Sequence, residues 1–379
     1  MKLFRNYLSL ALLFTACSVG DSLKQEKVPF KILGEIPAPL VSSDSLLVFE
    51  DLLILKNSPA PLLSLNKLIE NEIGIFVLDK VSSRLSLFDK NGKYIRYFGQ
   101  TGSGPGEYGV INDFFIVGEL VYLFSPSDLS LYSYEINTGK FISKNPLKAF
   151  AQKIVPISDG EILVYVSNNP TDFNFNVYRF DLEGNLLAKY FPFDPKRSNS
   201  IVSYTGFLAS DEGSYYCEPF GDRVYTFNST TKDFDPIFEL DFVSQDIRSD
   251  RENFEKYTGS YSLDPQNRVR FPGSTFLIND NWLVMDMTFD AKVQFILMSL
   301  KDPSNLFTLS RRVDNEFFRF VRNPLSLNSN DELIFPIDPE SFQNYDGEKA
   351  STIMSDIFEQ SGKISLDDDY YLVRVRLKR

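Results

Sequence analysis

Residues 85–108 read LSLFDKNGKYIRYFGQTGSGPGEY, and the order of signals in that stretch decides the fold. Leu85 to Phe88 alternates as a half-buried strand does, Asp89-Lys90-Asn91-Gly92 is a tight-turn sequence, Tyr94 to Phe98 returns as a second strand, and a glycine-rich bend follows. The same strand type, aromatic or aliphatic residues ahead of an acidic or polar turn, recurs at Leu131 (LYSYEINTGK), Val177 (VYRFDLEGN) and Val224 (VYTFNSTTK). The intervals from Leu85 are 46, 46 and 47 residues. Weaker copies at Phe295 (FILMSLKDPSN) and Tyr371 (YLVRVRLKR) complete a set of six. A second six-fold series, a turn followed by an apolar strand, begins at Glu70, Val117, Ser158, Ser210, Asn279 and Asn328 and interleaves with the first. A period of about 40 to 50 residues with four short strands in each repeat predicts an all-β, six-bladed β-propeller of four-stranded antiparallel blades.

Phe88-Asp89, Asn91-Gly92-Lys93 and the run Gly104-Pro105-Gly106-Glu107-Tyr108 resemble the signature of six-bladed propeller lipoproteins related to NHL-repeat proteins. The resemblance covers residues 60–125 at motif level. It implies the propeller and leaves the ligand unnamed. Glu107 and Tyr108 belong to the signature; Glu107 is expected to accept backbone N–H bonds between blades, and both join the candidate binding face. No Lys-Ser or Lys-Thr follows Gly102-Ser103-Gly104-Pro105-Gly106, so a phosphate-cradling loop is not predicted there.

Strands A (innermost) to D (outermost) of blade two are placed near Ile111–Val117, Leu120–Phe124, Leu131–Glu135 and Phe141–Lys144. The last repeat ends the chain at its C strand, so its D strand must come from the N-terminal region, either Phe30–Ile36 or Leu46–Leu55, which closes the ring and hides an edge.

Ahead of the propeller, Lys2 and Arg5 precede the apolar run Leu8–Phe14, and Leu13-Phe14-Thr15-Ala16-Cys17 ends it with small residues before a cysteine. The run is too short to span a bilayer and reads as a secretory signal with a lipobox-like end, giving a signal over residues 1–16, lipidation at Cys17, a polar tether over 17–29 and the propeller over 30–379. Ser18, rather than Asp, after the lipidated position favours the outer membrane, on its periplasmic or cell-surface side. The membrane is thus one expected partner.

The formal net charge is −12 and becomes −14 once Lys2 and Arg5 leave with the signal, which argues against nucleic acid as a partner. Histidine is absent, which removes the commonest general base, the usual zinc ligand and any Ser-His-Asp triad. Only Cys217 remains as a thiol beside the lipidated one, in a Tyr215-Tyr216-Cys217 strand where burial is expected.

Two segments break the period. About 30 extra residues lie between the D strand ending near Phe242 and the A strand near Phe276, and a second insertion runs from 338 to 368, with Ala350, Ile353, Met354, Ile357 and Phe358 at helical spacing. In a four-stranded meander, D-to-A and B-to-C connections emerge on one face of the disc, so both insertions share a face, and so does the GSGPGEY loop. Function on a rigid scaffold concentrates on elaborated loops. Arg248, Arg251, Tyr257, Tyr261, Arg268, Tyr345 and Asp346 are therefore, with Glu107 and Tyr108, the candidate binding residues, for a glycan, peptide or envelope protein.

The alternative is a calcium-dependent hydrolase resembling six-bladed lactonases and esterases, with Asn, Asp and Glu reaching the channel. No cofactor is expected for a binding module, and calcium enters only with this alternative. Asp367-Asp368-Asp369 and the Asn328–Glu332 turn offer oxygen ligands, but neither has the spacing of an EF-hand. The innermost strands are poor in acidic residues, and without histidine a carboxylate or metal-bound water would have to act as base.

Overall fold

The computed structural model describes residues 31–36, 41–167, 169, 174–193, 207–210, 213–217, 223–242, 271–289, 292–302, 305–310, 316–337, 352–360 and 370–378. Six blades, each built on four antiparallel strands, make the six-bladed propeller. Blade one comprises Lys67–Glu70, Ile75–Asp79, Arg84–Phe88 and Tyr94–Tyr97, in the order A to D. In blade two the strands are Asp113–Val117, Leu120–Ser125, Ser130–Glu135 and Phe141–Pro146, each within two residues of its expected bounds. The A strands of blades three to six are Lys153–Ile157, Phe207–Ser210, Phe271–Ile278 and Ser326–Leu327.

The decisive turn forms as its sequence dictates. The Asp89 carboxylate accepts the N–H groups of Asn91 at 2.8 Å and Lys93 at 2.9 Å, closing the loop locally. Gly92 takes φ +78°, and a Cβ there would lie 2.0 Å from the Ile54 carbonyl, so both backbone and space require glycine.

Core residues gather in the seams between blades rather than in one central mass. Phe76, Phe98, Phe114 and Tyr134 fill the seam of blades one and two; Phe124, Ile154 and Tyr178 that of two and three; Tyr165 and Tyr216 that of three and four. Cys217, buried as expected, packs with Met285 and Met298 between blades four and five. Blades five and six share Trp282, Phe317, Phe335 and Val373, while Leu68, Ile75 and Leu372 join blade six to blade one. The chain's many aromatics are thus consumed in holding flat sheets face to face.

Both N-terminal candidates for the closing strand are used, in different places. Leu47–Leu55 pairs antiparallel with Tyr370–Leu377 and becomes the outer strand of blade six. Lys31–Ile36 instead adds a fifth strand, parallel, to the outer edge of blade four. Between them the Val41 N–H donates to the Thr308 carbonyl on the outer strand of blade five at 3.0 Å. The N-terminal segment therefore runs as a belt over three blades.

Helix α1 (Ser43–Leu46) lies in that belt, α2 (Glu316–Phe320) precedes blade six, and α3 (Thr352–Gln360) is the helix predicted within the second insertion, displaced by two residues. Ile353, Met354 and Ile357 bury the apolar stripe of α3 in the seam of blades five and six, and Phe358 meets Phe320 of α2 edge-on at 5.7 Å. The Asp44 carboxylate accepts the Thr352 N–H at 3.0 Å and so caps α3 from the belt.

Candidate functional site

Three consecutive blades begin their innermost strand with a charged residue preceded by an amide side chain: Asn66-Lys67, Asn112-Asp113 and Gln152-Lys153. The upstream ends of the A strands ring the channel where the D-to-A connections arrive, which is the face the meander assigns to both insertions. All of these residues but Asn112, together with Lys80, Thr275, Arg322 and Asn323, line an open cavity of about 540 Å³. Polar groups make up about half of its wall, and four cations oppose one carboxylate among the described residues.

That carboxylate is the hub of the ring. Asp113, buried, accepts the Lys67 ammonium on Oδ1 at 2.6 Å and the Ile154 N–H on Oδ2 at 2.6 Å, tying blades one, two and three together. Lys67 also donates to the Phe114 carbonyl at 2.6 Å and stands 5.1 Å from the centre of the Phe114 ring. Lys80 donates to Asn112 Oδ1 at 3.1 Å, and Asn112 Nδ2 donates to the Ala151 carbonyl at 2.8 Å. Across the channel Asn323 Nδ2 donates to the Thr275 hydroxyl oxygen at 2.9 Å, joining blades five and six.

Lys153 differs from its neighbours. Among the described residues no carboxylate, carbonyl or hydroxyl accepts a hydrogen bond from its ammonium. Loss of water around the charge, reinforced by Lys67 and Lys80 and opposed by Asp113, pushes its pKa down to about 8. The ammonium of Lys80 is lowered in the same way, first by the surrounding protein and then by Lys67, with Asp113 opposing. Like charges are thus held together at the mouth against their mutual repulsion.

The residues that the sequence singled out on this face are not those that line the mouth. Glu107 and Tyr108 sit in a loop that wedges into the seam of blades one and two: Gly106 packs on Phe141, and its carbonyl accepts the Tyr134 hydroxyl at 2.7 Å. The Glu107 carboxylate serves its own loop, accepting Gln100 Nε2 at 2.5 Å and the Gly104 N–H at 2.7 Å, and these bonds lower its pKa. Tyr108 is 1% exposed and donates to the Phe98 carbonyl at 2.9 Å, so it serves the core and offers no surface to a ligand. Cys17, Arg248, Arg251, Tyr257, Tyr261, Arg268, Tyr345 and Asp346 lie outside the described residues.

The donor set does not suit calcium. A divalent cation at the mouth would meet three lysines and an arginine, and its one carboxylate is already engaged twice. Among the described residues no three of His, Cys, Asp and Glu come together as metal ligands. In the Asn328–Glu332 turn, Asn328 Nδ2 donates to Glu332 at 2.7 Å while its Oδ1 accepts the Asn330 and Glu332 N–H groups at 3.0 Å each, an ordinary hairpin arrangement.

Fold and mouth together define a six-bladed β-propeller with a cationic channel opening. The chain belongs to the domain-of-unknown-function family DUF4934, which matches residues 61–376. Among solved structures it is similar to the "Putative exported protein" of Bacteroides fragilis NCTC 9343, with 16% identity, 92% of this chain and 100% of that one covered, and a TM-score of 0.74. It is also similar to a member of the duf4221 family from Bacteroides vulgatus ATCC 8482, at 10% identity over 88% and 97% of the two chains, with a TM-score of 0.54. At such identities the likeness is one of fold. No curated protein matches the chain. Among the described residues no helix is long and apolar enough to cross a membrane.

Proposed function

We propose that this chain is a binding module of the cell envelope, anchored through Cys17, that captures a glycan, peptide or protein partner on the face carrying the channel mouth and both insertions. One observation carries the reading: the cavity of about 540 Å³ at the upstream ends of the A strands, where charged and amide side chains from several blades converge. A cavity with a few convergent polar groups on a rigid ring is where a propeller of this kind meets a ligand. The lipobox-like run before Cys17, the resemblance to propeller lipoproteins and the exported status named for the Bacteroides fragilis structure all support an envelope setting. The hydrolase alternative finds no support in the donor set at the mouth.

The test is a pull-down of envelope components with the wild type and with a variant whose residues 244–270 are replaced by a short Gly-Ser turn. Loss of partners with the fold retained supports the reading. Identical partner sets from the two proteins reject it.

A further inference from the structure

The cation cluster at the mouth is out of keeping with the rest of the chain. An acidic protein with formal net charge −12 concentrates Lys67, Lys80, Lys153 and Arg322 around one cavity. Surface solubility gives no reason to gather cations at an inward-facing ring, because charges that share low-dielectric walls repel one another more strongly than they would in open water. Asp113 pairs with Lys67 at 2.6 Å and holds the Ile154 N–H on its second oxygen, and its single charge offsets only part of the repulsion among the cations. Lys80 has an uncharged amide oxygen as its acceptor. Lys153 has no acceptor among the described residues, although an ammonium offers three donors. Partial burial and the neighbouring lysines disfavour its charged form in the unliganded protein, and an entering anion would offset that.

We propose that the channel mouth recognises a compact oxyanion bearing two or more negative charges, a phosphate monoester or clustered carboxylates, carried by the ligand of the binding face. The proposal rests on the reading of that face as the functional one and adds the chemistry it selects. Lys153 and Lys80 approach from blades three and one, Arg322 from the segment leading into blade six, and Asn66, Gln152 and Asn323 supply neutral amide groups between them. Several point charges from different blades suit a polyanion, whereas a single carboxylate would neutralise only part of the cluster. The depressed pKa of Lys153 fits the same arrangement, because an arriving anion restores the charged form.

Inorganic phosphate and citrate are the probes, titrated into the full chain at low ionic strength and followed by calorimetry, with acetate as the singly charged control. Phosphate or citrate is expected to bind at least about tenfold more tightly than acetate, and the tighter of the two names the group. Lys153→Met and, independently, Lys80→Met should each weaken the preferred probe about tenfold while circular dichroism stays unchanged. Raising the pH from about 8 to about 10, where phosphate remains a dianion, should weaken binding to the wild type several-fold and change binding to Lys153→Met much less. The groups facing Lys153 in this titration are Lys67, Lys80 and Asp113, with Arg322 on the same wall. Absence of phosphate and citrate binding at about 10 mM, or equal affinity in wild type and both variants, overturns the proposal. If that happens while the 244–270 replacement still loses its partners, the binding-face reading stands and only the anion assignment falls.

Discussion

Lys67 and Asp113 occupy the first position of the innermost strand in consecutive blades, 46 residues apart, and their ammonium and carboxylate meet at 2.6 Å. Repetition of the blade thus places opposite charges side by side without any local sequence contact. Asp113→Asn should leave the Lys67 ammonium without its counter-charge in a confined site and destabilise the protein by about 2 to 3 kcal/mol, somewhat less than for a fully buried pair because Lys67 keeps some solvent. The double variant Lys67→Met with Asp113→Asn should lose less than the two single changes added together. Urea unfolding of the four proteins measures the coupling, and strict additivity would contradict the bridge.

Lys153 sets a pH dependence opposite in sign to that of a lysine whose pKa a carboxylate partner raises. Its folded-state pKa of about 8 lies below the ordinary lysine value, so between about pH 8 and about pH 10.5 the unfolded chain holds a proton that the folded one has released. Unfolding then takes up a proton, and this residue's contribution to stability rises with pH across that window. Below it, the charged Lys153 is a penalty on folding. Lys153→Met should therefore be more stable than wild type at pH 7, and the gap should narrow as pH approaches about 10. Urea midpoints at the two pH values for both proteins check this; a constant gap would show that the lysine is not desolvated.

The two N-terminal strands should separate cleanly by deletion. Removing residues 1–40 takes away Lys31–Ile36, an added parallel edge on blade four, and should leave a folded ring of reduced stability. Removing residues 1–56 also takes Leu47–Leu55, exposes the edge of Tyr370–Leu377 and opens both seams of blade six, where Leu47 is buried towards blade five and Leu55 towards blade one. That protein should aggregate or lose its cooperative transition. Equal melting temperatures for the two truncations would refute this division of roles.

Gly106 should be intolerant of any side chain. Its φ of +76° costs an L-residue about 1 to 2 kcal/mol, and a Cβ would stand 2.7 Å from the Phe141 ring. Gly106→Ala is expected to lose about 2 to 4 kcal/mol, against about 1 to 2 kcal/mol for alanine at Gly118, where φ is +58° but a Cβ would meet nothing within 4 Å. Thermal unfolding of the two variants compares strain plus clash with strain alone.

Much of the architecture was legible because it is written in a repeated local pattern. A strand that alternates toward a polar turn can be found six times over, and Leu120–Ser125 or Ser130–Glu135 follow from such patterns alone. Closure was legible only as a choice between two segments, since pairing across more than 300 residues leaves no local trace. Both were strands, and the partner of Lys31–Ile36 could not be named from its own residues. The charges at the mouth are hard to see in the sequence for a different reason: a lysine opening a strand, as Lys67 and Lys153 do, ordinarily marks a solvated edge. The signal was present in the amide-then-charge pairs Asn66-Lys67, Asn112-Asp113 and Gln152-Lys153, each followed by two apolar residues. Once strand A is known to line a channel, that pattern places charge inside the ring.

The belt of residues 31–55 sets the order in which the ring gives way under load. Tension applied ahead of Lys31 falls first on the parallel pairing with Asp233–Phe242, an accessory edge whose loss leaves every blade with four strands. Next in line are the Val41-to-Thr308 hydrogen bond on blade five and the Asp44 cap on α3, and behind them comes Leu47–Leu55, whose release would open the circle. The strand that closes the propeller is thus the last to feel a pull from the N-terminus, with a sacrificial strand and a clip between it and whatever holds the chain.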